Sequence, residues 1–164
     1  GLNIGMRHIS LSTCGIIEMI DKLAGYNLQL TLSVSLHGPD DETRSRLMPV
    51  NRRYGVDNVL AACKRYFEKT GRRVSYEYSM VHGVNDTPKH AALLASKLAG
   101  TGSHVNLIPL NHVDERSLEP STRDAVNIFA GELKKRGINA TIRRSLGGDI
   151  DASCGQLRRK AMQE

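Results

Sequence analysis

Two hydrophobic periods alternate along this chain, and no other feature narrows its possible folds so far. Five short runs rich in β-branched residues read as strands: MRHISLS (Met6 to Ser12), QLTLSVSL (Gln29 to Leu36), RVSYEYSM (Arg73 to Met80), HVNLIPL (His104 to Leu110) and NATIRRS (Asn139 to Ser145). Between them the apolar residues recur at helical spacing. Ile16, Ile20, Leu23 and Ala24 share one face, as do Val59, Leu60, Cys63 and Phe67. Pro88 suits the first turn of a third helix with Ala91, Leu94, Ala95 and Leu98 inward. Ser121 or Thr122 caps a fourth, with Val126, Phe129 and Leu133 inward and Gly137 at its end. Strand, helix and strand in repetition call for right-handed βαβ units and a largely parallel sheet, an α/β fold. The polar, charged stretch from His112 to Pro120 reads as a loop.

At 164 residues the chain suits one domain with a real core. No apolar run nears the roughly 20 residues that span a bilayer. The first ten residues, GLNIGMRHIS, lack the charged-apolar-small pattern of a signal peptide and, without an initiator Met, do not read as a natural start. The net charge of +6 favours anionic partners, nucleic acid first. Two Phe, five Tyr and no Trp are too few for a single-strand binder built on stacking platforms. Cys14, Cys63 and Cys154, an odd number widely spaced along the chain, suggest no disulfide framework and no Cys-rich metal knuckle, which places the chain in the cytoplasm with reduced thiols.

In parallel α/β folds, ligands gather at the carboxyl ends of the strands. Here those ends are polar: Ser12-Thr13, Ser35-Leu36-His37, His82 and Asn111-His112. Hydroxyl, imidazole and amide groups at one rim suit a hydrogen-bond-rich ligand such as a nucleoside or an amino acid; the plainer reading is that polar residues begin loops. Gly147-Gly148 lacks the rest of any phosphate-binding loop, and no HxxxH or HExxH pair points to zinc. His37 could serve as an acid or base, or as a structural hydrogen-bonder. In SLGGDIDASCGQLRRK, Cys154 follows a glycine turn at the start of a short helix, where a thiol becomes a better nucleophile, although Asp149 and Asp151 push the other way. An ordinary packing role remains open for it, and Cys63 reads as core. Arg143, Arg144, Arg158, Arg159 and Lys160 flank Cys154, either as a solvated face or as a rim for RNA phosphates.

The phrases RHISLSTCGI, LTLSVSLHGPDDETRSRLMPVN, YEYSMVHGVND, HVNLIPLN and GGDIDASCGQLR, in this order, resemble RlmN-type radical S-adenosylmethionine methyltransferases. These modify carbon 2 of an adenine in 23S rRNA and in tRNA, and their Cfr relatives act on carbon 8. The resemblance runs over essentially the whole chain. It implies that Ser12, Ser35, Leu36, His37 and Asn111 contact S-adenosylmethionine. It also implies that Cys154 is methylated on sulfur, loses a hydrogen to a deoxyadenosyl radical, and delivers the carbon to adenine. A 4Fe–4S cluster and an electron donor such as a flavodoxin system belong to that chemistry, with no membrane or disulfide partner.

The family's CxxxCxxC cluster motif is absent here, as are its GEP-type strand, its second cysteine and its N-terminal RNA-binding domain. The chain is then expected to be a C-terminal fragment, inactive alone. Residues 1–164 form one incomplete radical-SAM barrel domain, and 139–164 form a C-terminal extension carrying the reactive cysteine. It would supply the last four parallel strands, with their helices, of a partial (β/α)6 TIM-type barrel, leaving its first strand an uncovered edge. A non-catalytic RNA-binding or assembly half-barrel is the alternative. An aldolase-like enzyme would need a Schiff-base lysine or a metal at a strand end, and neither is found.

Overall fold

The computed structural model describes residues 5–110 and 118–143. Strands β1 (Ser10–Thr13), β2 (Thr31–Ser35), β3 (Val74–Met80), β4 (His104–Pro109) and β5 (Asn139–Ile142) are joined through helices α1 (Ile17–Gly25), α2 (Asp41–Leu47), α3 (Val56–Thr70), α4 (Pro88–Leu98) and α5 (Arg123–Lys135). The strands pair in chain order and all in parallel. The α/β architecture matches the expectation from sequence. The sheet also takes in a fifth strand, made by the first residues of the segment assigned to the extension.

Parallel strands paired in chain order call for right-handed crossovers that step in one direction, and α1, α3, α4 and α5 pack together on one face of the sheet. The core lies there. Ile20 and Ala24 of α1, Val59, Ala62, Cys63 and Tyr66 of α3, Ala91, Leu94 and Leu98 of α4, and Val126, Phe129 and Leu133 of α5 pack on Leu32, Val34, Val74, Tyr76, Tyr78, Val105 and Leu107. Each large side chain so buried is worth roughly 1.5–3 kcal/mol. Tyr78 and Phe129, with ring centroids 5.1 Å apart, tie α5 to the centre of the sheet.

The helix ends follow local chemistry. Thr122, not Ser121, caps α5, its Oγ1 accepting the Ala125 N–H at 3.2 Å, while Ser121 donates instead to Asp86 at 2.9 Å. Thr87 caps α4 just before Pro88. Gly71 closes α3 in the left-handed region at φ 65°, where a side chain would be strained.

Two differences from the sequence reading have simple causes. The first run becomes a strand only at Ser10, after a 3-10 turn over Met6–His8, because β2 begins at Thr31 and offers nothing to pair with earlier. Helix α2 has no counterpart among the helices that the sequence pattern marks. Its sequence, DETRSRL, carries a single apolar residue and therefore shows no helical stripe. β1 lies at the sheet's edge, with Ser10, Leu11 and Ser12 exposed.

Candidate functional site

Strand alternation sends every second side chain away from the helices. On β3 these are Ser75, Glu77 and Ser79, all half-buried, while Val74, Tyr76, Tyr78 and Met80 enter the core. The parallel register extends the pattern across the sheet. One row holds Ser12, Ser33, Ser75, His104 and Asn139, and the next holds Ser35, Glu77, Asn106 and Thr141. The face opposite the helices is thus a grid of hydroxyl, amide, imidazole and carboxylate groups.

Hydrogen bonds hold this grid in place. Ser10 and Ser33 hydroxyls meet at 3.0 Å. His104 bridges Ser75 through Nδ1 at 3.2 Å and Thr141 through Nε2 at 3.1 Å. Burial, with a smaller contribution from Arg73, lowers the His104 pKa. Asn106 Nδ2 donates to Glu77 Oε2 at 2.9 Å.

At the carboxyl ends of β1 and β2 the organising residue is Arg44, which is fully buried. Its Nε donates to Leu36 O at 3.1 Å and its Nη1 to Asn51 Oδ1 and Tyr54 O at 2.8 and 2.9 Å. Its Nη2 reaches Cys14 O at 2.7 Å and Ser35 O at 3.4 Å. All five N–H donors are thereby used, which is what makes burial of the guanidinium tolerable. Helix α2 delivers this arginine. Asp40 caps the helix, accepting the Thr43 N–H at 2.8 Å. Gly38 permits the close approach, since a Cβ there would lie 2.7 Å from the Arg44 backbone nitrogen.

His37 follows β2 in the left-handed region at φ 56°, a conformation that costs a non-glycine residue about 1 kcal/mol or more. It is held from three sides. Its Nδ1 accepts the Ser79 N–H at 3.0 Å, its N–H reaches Glu77 O at 3.3 Å, and its carbonyl accepts Asn85 Nδ2 at 2.8 Å. Asn85, fully buried, also binds Ser79 O and the Val81 N–H. Burial, with help from the Arg44 charge, pushes the imidazole down to about 4. His37 is neutral at pH 7, and the bond from Ser79 places its proton on Nε2. It is therefore suited to donate a hydrogen bond through Nε2 and poorly suited to act as a base.

The residues picked out in the sequence distribute as follows. Ser12 and Ser35 stand in adjacent rows of the polar grid. Leu36 is buried on the helical side, with its N–H on Glu77 O and its carbonyl on Arg44. His82 is exposed beyond β3, its Nδ1 3.5 Å from Asp86. Arg143 is exposed just past β5, where its N–H continues the ladder to Leu107 O at 2.8 Å. Asn111, Arg144, Cys154, Arg158, Arg159 and Lys160 lie outside the described residues. Arg44, Asn85 and Glu77 were not singled out in the sequence. Alternation along VSYEYSM carried the signal for Glu77, and the acidic cap of α2 a fainter one for Arg44.

A 4Fe–4S cluster does not fit the described residues. No group of three or more His, Cys, Asp or Glu side chains among them could hold a metal ion. Cys63, buried in the core with its thiol pushed up to about 11, is a poor source of thiolate. The donor set of the polar face does suit S-adenosylmethionine, whose ribose, amino and carboxyl groups all take hydrogen bonds. Among the described residues no helix is long and apolar enough to cross a membrane.

Comparison with known proteins adds to this geometry. Residues 2–95 match the family model of the radical SAM superfamily. A relative from Bacillus subtilis, named as a probable dual-specificity RNA methyltransferase RlmN, is 52% identical over 164 residues, covering all of this chain and 45% of the relative. One of the same name from Alkaliphilus oremlandii is 48% identical over 163 residues, covering 99% of this chain and 48% of the relative. The chain thus spans about half the length of the curated relatives it matches. The crystal structure of a radical SAM methyltransferase from Sphaerobacter thermophilus superposes with a TM-score of 0.91 at 47% identity, over 95% of this chain and 46% of that one. A domain of pyruvate-formate lyase-activating enzyme from Bacteroides vulgatus shares the fold, with a TM-score of 0.63 at 18% identity, over 82% of this chain and 80% of that one.

Proposed function

This chain belongs to the radical SAM superfamily, and from that premise we propose that it is the part of an RNA methyltransferase that holds S-adenosylmethionine and carries a methyl group to adenine. The observation that carries the reading is the helix-free polar face. Ser12 and Ser35, the strand residues the resemblance assigns to S-adenosylmethionine, both stand on it, and His37 follows directly at its rim. Matches to RlmN-named relatives that run over all or nearly all of this chain, and just under half of each relative, support RNA as the substrate. The proposed targets are carbon 2 of an adenine in 23S rRNA and in tRNA.

In this account the Ser12 and Ser35 hydroxyls and the His37 Nε2–H bind and orient the ligand's polar groups. Arg44 keeps those strand ends fixed, so that no backbone rearrangement is needed on binding. S-adenosylmethionine bound there would supply an activated methyl group. Cys154 is the proposed methyl carrier. Arg143, with Arg144, Arg158, Arg159 and Lys160, is proposed to meet RNA phosphates, which would make binding salt-dependent.

Replacing Cys154 with alanine in the protein that bears this chain tests the assignment. Methylation of adenine should be lost, together with the methyl mass increment on the peptide containing residue 154. Retained methylation overturns it.

A further inference from the structure

Glu77 is the single carboxylate in the two central rows of the polar face. Its Oε2 accepts from Asn106 Nδ2 at 2.9 Å, while Oε1 makes no hydrogen bond to another described residue. Among the described residues no Lys or Arg comes within ion-pair distance of it. Its backbone is tied to the strand end beside it, the Glu77 carbonyl receiving the N–H groups of Leu36 and His37 at 3.0 and 3.3 Å. The charge is therefore held in a fixed position next to Ser35.

The fold does not need that charge. A glutamine would also accept the Asn106 bond, though more weakly than a carboxylate does. The neighbouring hydroxyl, amide and imidazole groups can hydrogen-bond ribose, amino and carboxyl groups. They offer a sulfonium, which has no N–H or O–H, only the weaker pull of lone-pair dipoles, whereas a full negative charge attracts it directly. Glu77 is the group in these rows that supplies that charge.

We propose that Glu77 is the residue by which this face prefers the sulfonium of S-adenosylmethionine to the neutral thioether of S-adenosylhomocysteine. The inference rests on the S-adenosylmethionine reading above and deepens it to charge selectivity. Glu77 acts through space, and Asn106 fixes the direction of its carboxylate.

Calorimetric titration of the 164-residue chain and of its Glu77→Gln and Glu77→Asp variants, with each of the two ligands, tests this. At an effective dielectric constant near 20, a carboxylate about 10 Å from a cation shifts affinity on the order of tenfold. Glu77→Gln should weaken S-adenosylmethionine by about that factor and S-adenosylhomocysteine by less than about twofold. Glu77→Asp, which keeps the charge, should keep the preference. Equal weakening of both ligands would assign the carboxylate to the α-ammonium they share and overturn the proposal, as would no change in either. If the unsubstituted chain binds neither ligand, the S-adenosylmethionine reading itself fails and this inference falls with it. Binding with a ligand ratio that Glu77→Gln leaves unaltered sinks this inference alone.

Discussion

Lowering the pH from about 7.5 to about 5 should cost this protein close to 2 kcal/mol through His37 alone. The imidazole titrates near its ordinary 6.5 in the unfolded chain and near 4 in the folded one, where burial and the Arg44 charge oppose protonation. Between those values the unfolded state binds more protons, so stability rises with pH. The contribution is fully present above the unfolded pKa and fades as pH falls towards 4. At pH 5 the linkage relation gives a factor of roughly 30 in the folding equilibrium, hence the figure of about 2 kcal/mol. Protonation also removes the Nδ1 lone pair that accepts the Ser79 N–H, so the two effects share one cause. Urea denaturation at a series of pH values measures the slope. Carboxylates and His104 titrate over part of the same range, and the control is therefore His37→Asn. Asparagine tolerates the left-handed backbone and presents an acceptor oxygen, but it does not titrate. The parent should lose about 2 kcal/mol more than the variant across this interval. Parallel pH profiles would refute a buried, neutral His37.

Other outcomes follow from the same geometry. Arg44→Met should destabilise the fold by about 3–5 kcal/mol, because five oxygens lose their donor and most are buried; chemical denaturation checks it. Gly38→Ala should cost about 1–3 kcal/mol, read as a lowered midpoint, since the new methyl group meets the Arg44 backbone. Asp40→Ala should cost about 1 kcal/mol through the lost cap of α2. Reconstitution of the 164-residue chain with iron and sulfide should yield no stoichiometric 4Fe–4S cluster, since its three cysteines form no CxxxCxxC; charge-transfer absorbance at full occupancy would contradict this.

The sheet and four of the five helices were legible in the sequence because their apolar periods are local. Ile20 and Ala24, or Ala91, Leu94 and Leu98, announce a buried face within a few turns. Helix α2 was not legible, because what fixes it is remote. Arg44 is held by carbonyls of Cys14, Ser35 and Leu36, up to 30 residues away, and no periodicity records such bonds. Asn85 was missed for the same reason. Its amide joins His37 to Ser79 across two strands, and nothing in VHGVND marks it. The polar strand ends were visible, but the face they belong to was not. Alternation shows that Ser75, Glu77 and Ser79 share a side, while only the register shows that Ser35, Asn106 and Thr141 stand in the same row as Glu77.

Titration of the isotopically labelled chain with S-adenosylmethionine, followed by amide NMR shifts, tests most directly whether the open face of the sheet is the binding site. Shifts concentrated at Ser12, Ser35, His37, Glu77 and Asn106, and weakened by Ser35→Ala, are the predicted result. The contradicting result is a set of shifts around the cleft on the helical side lined by Phe67, Tyr76 and Leu98, with the strand rows unmoved.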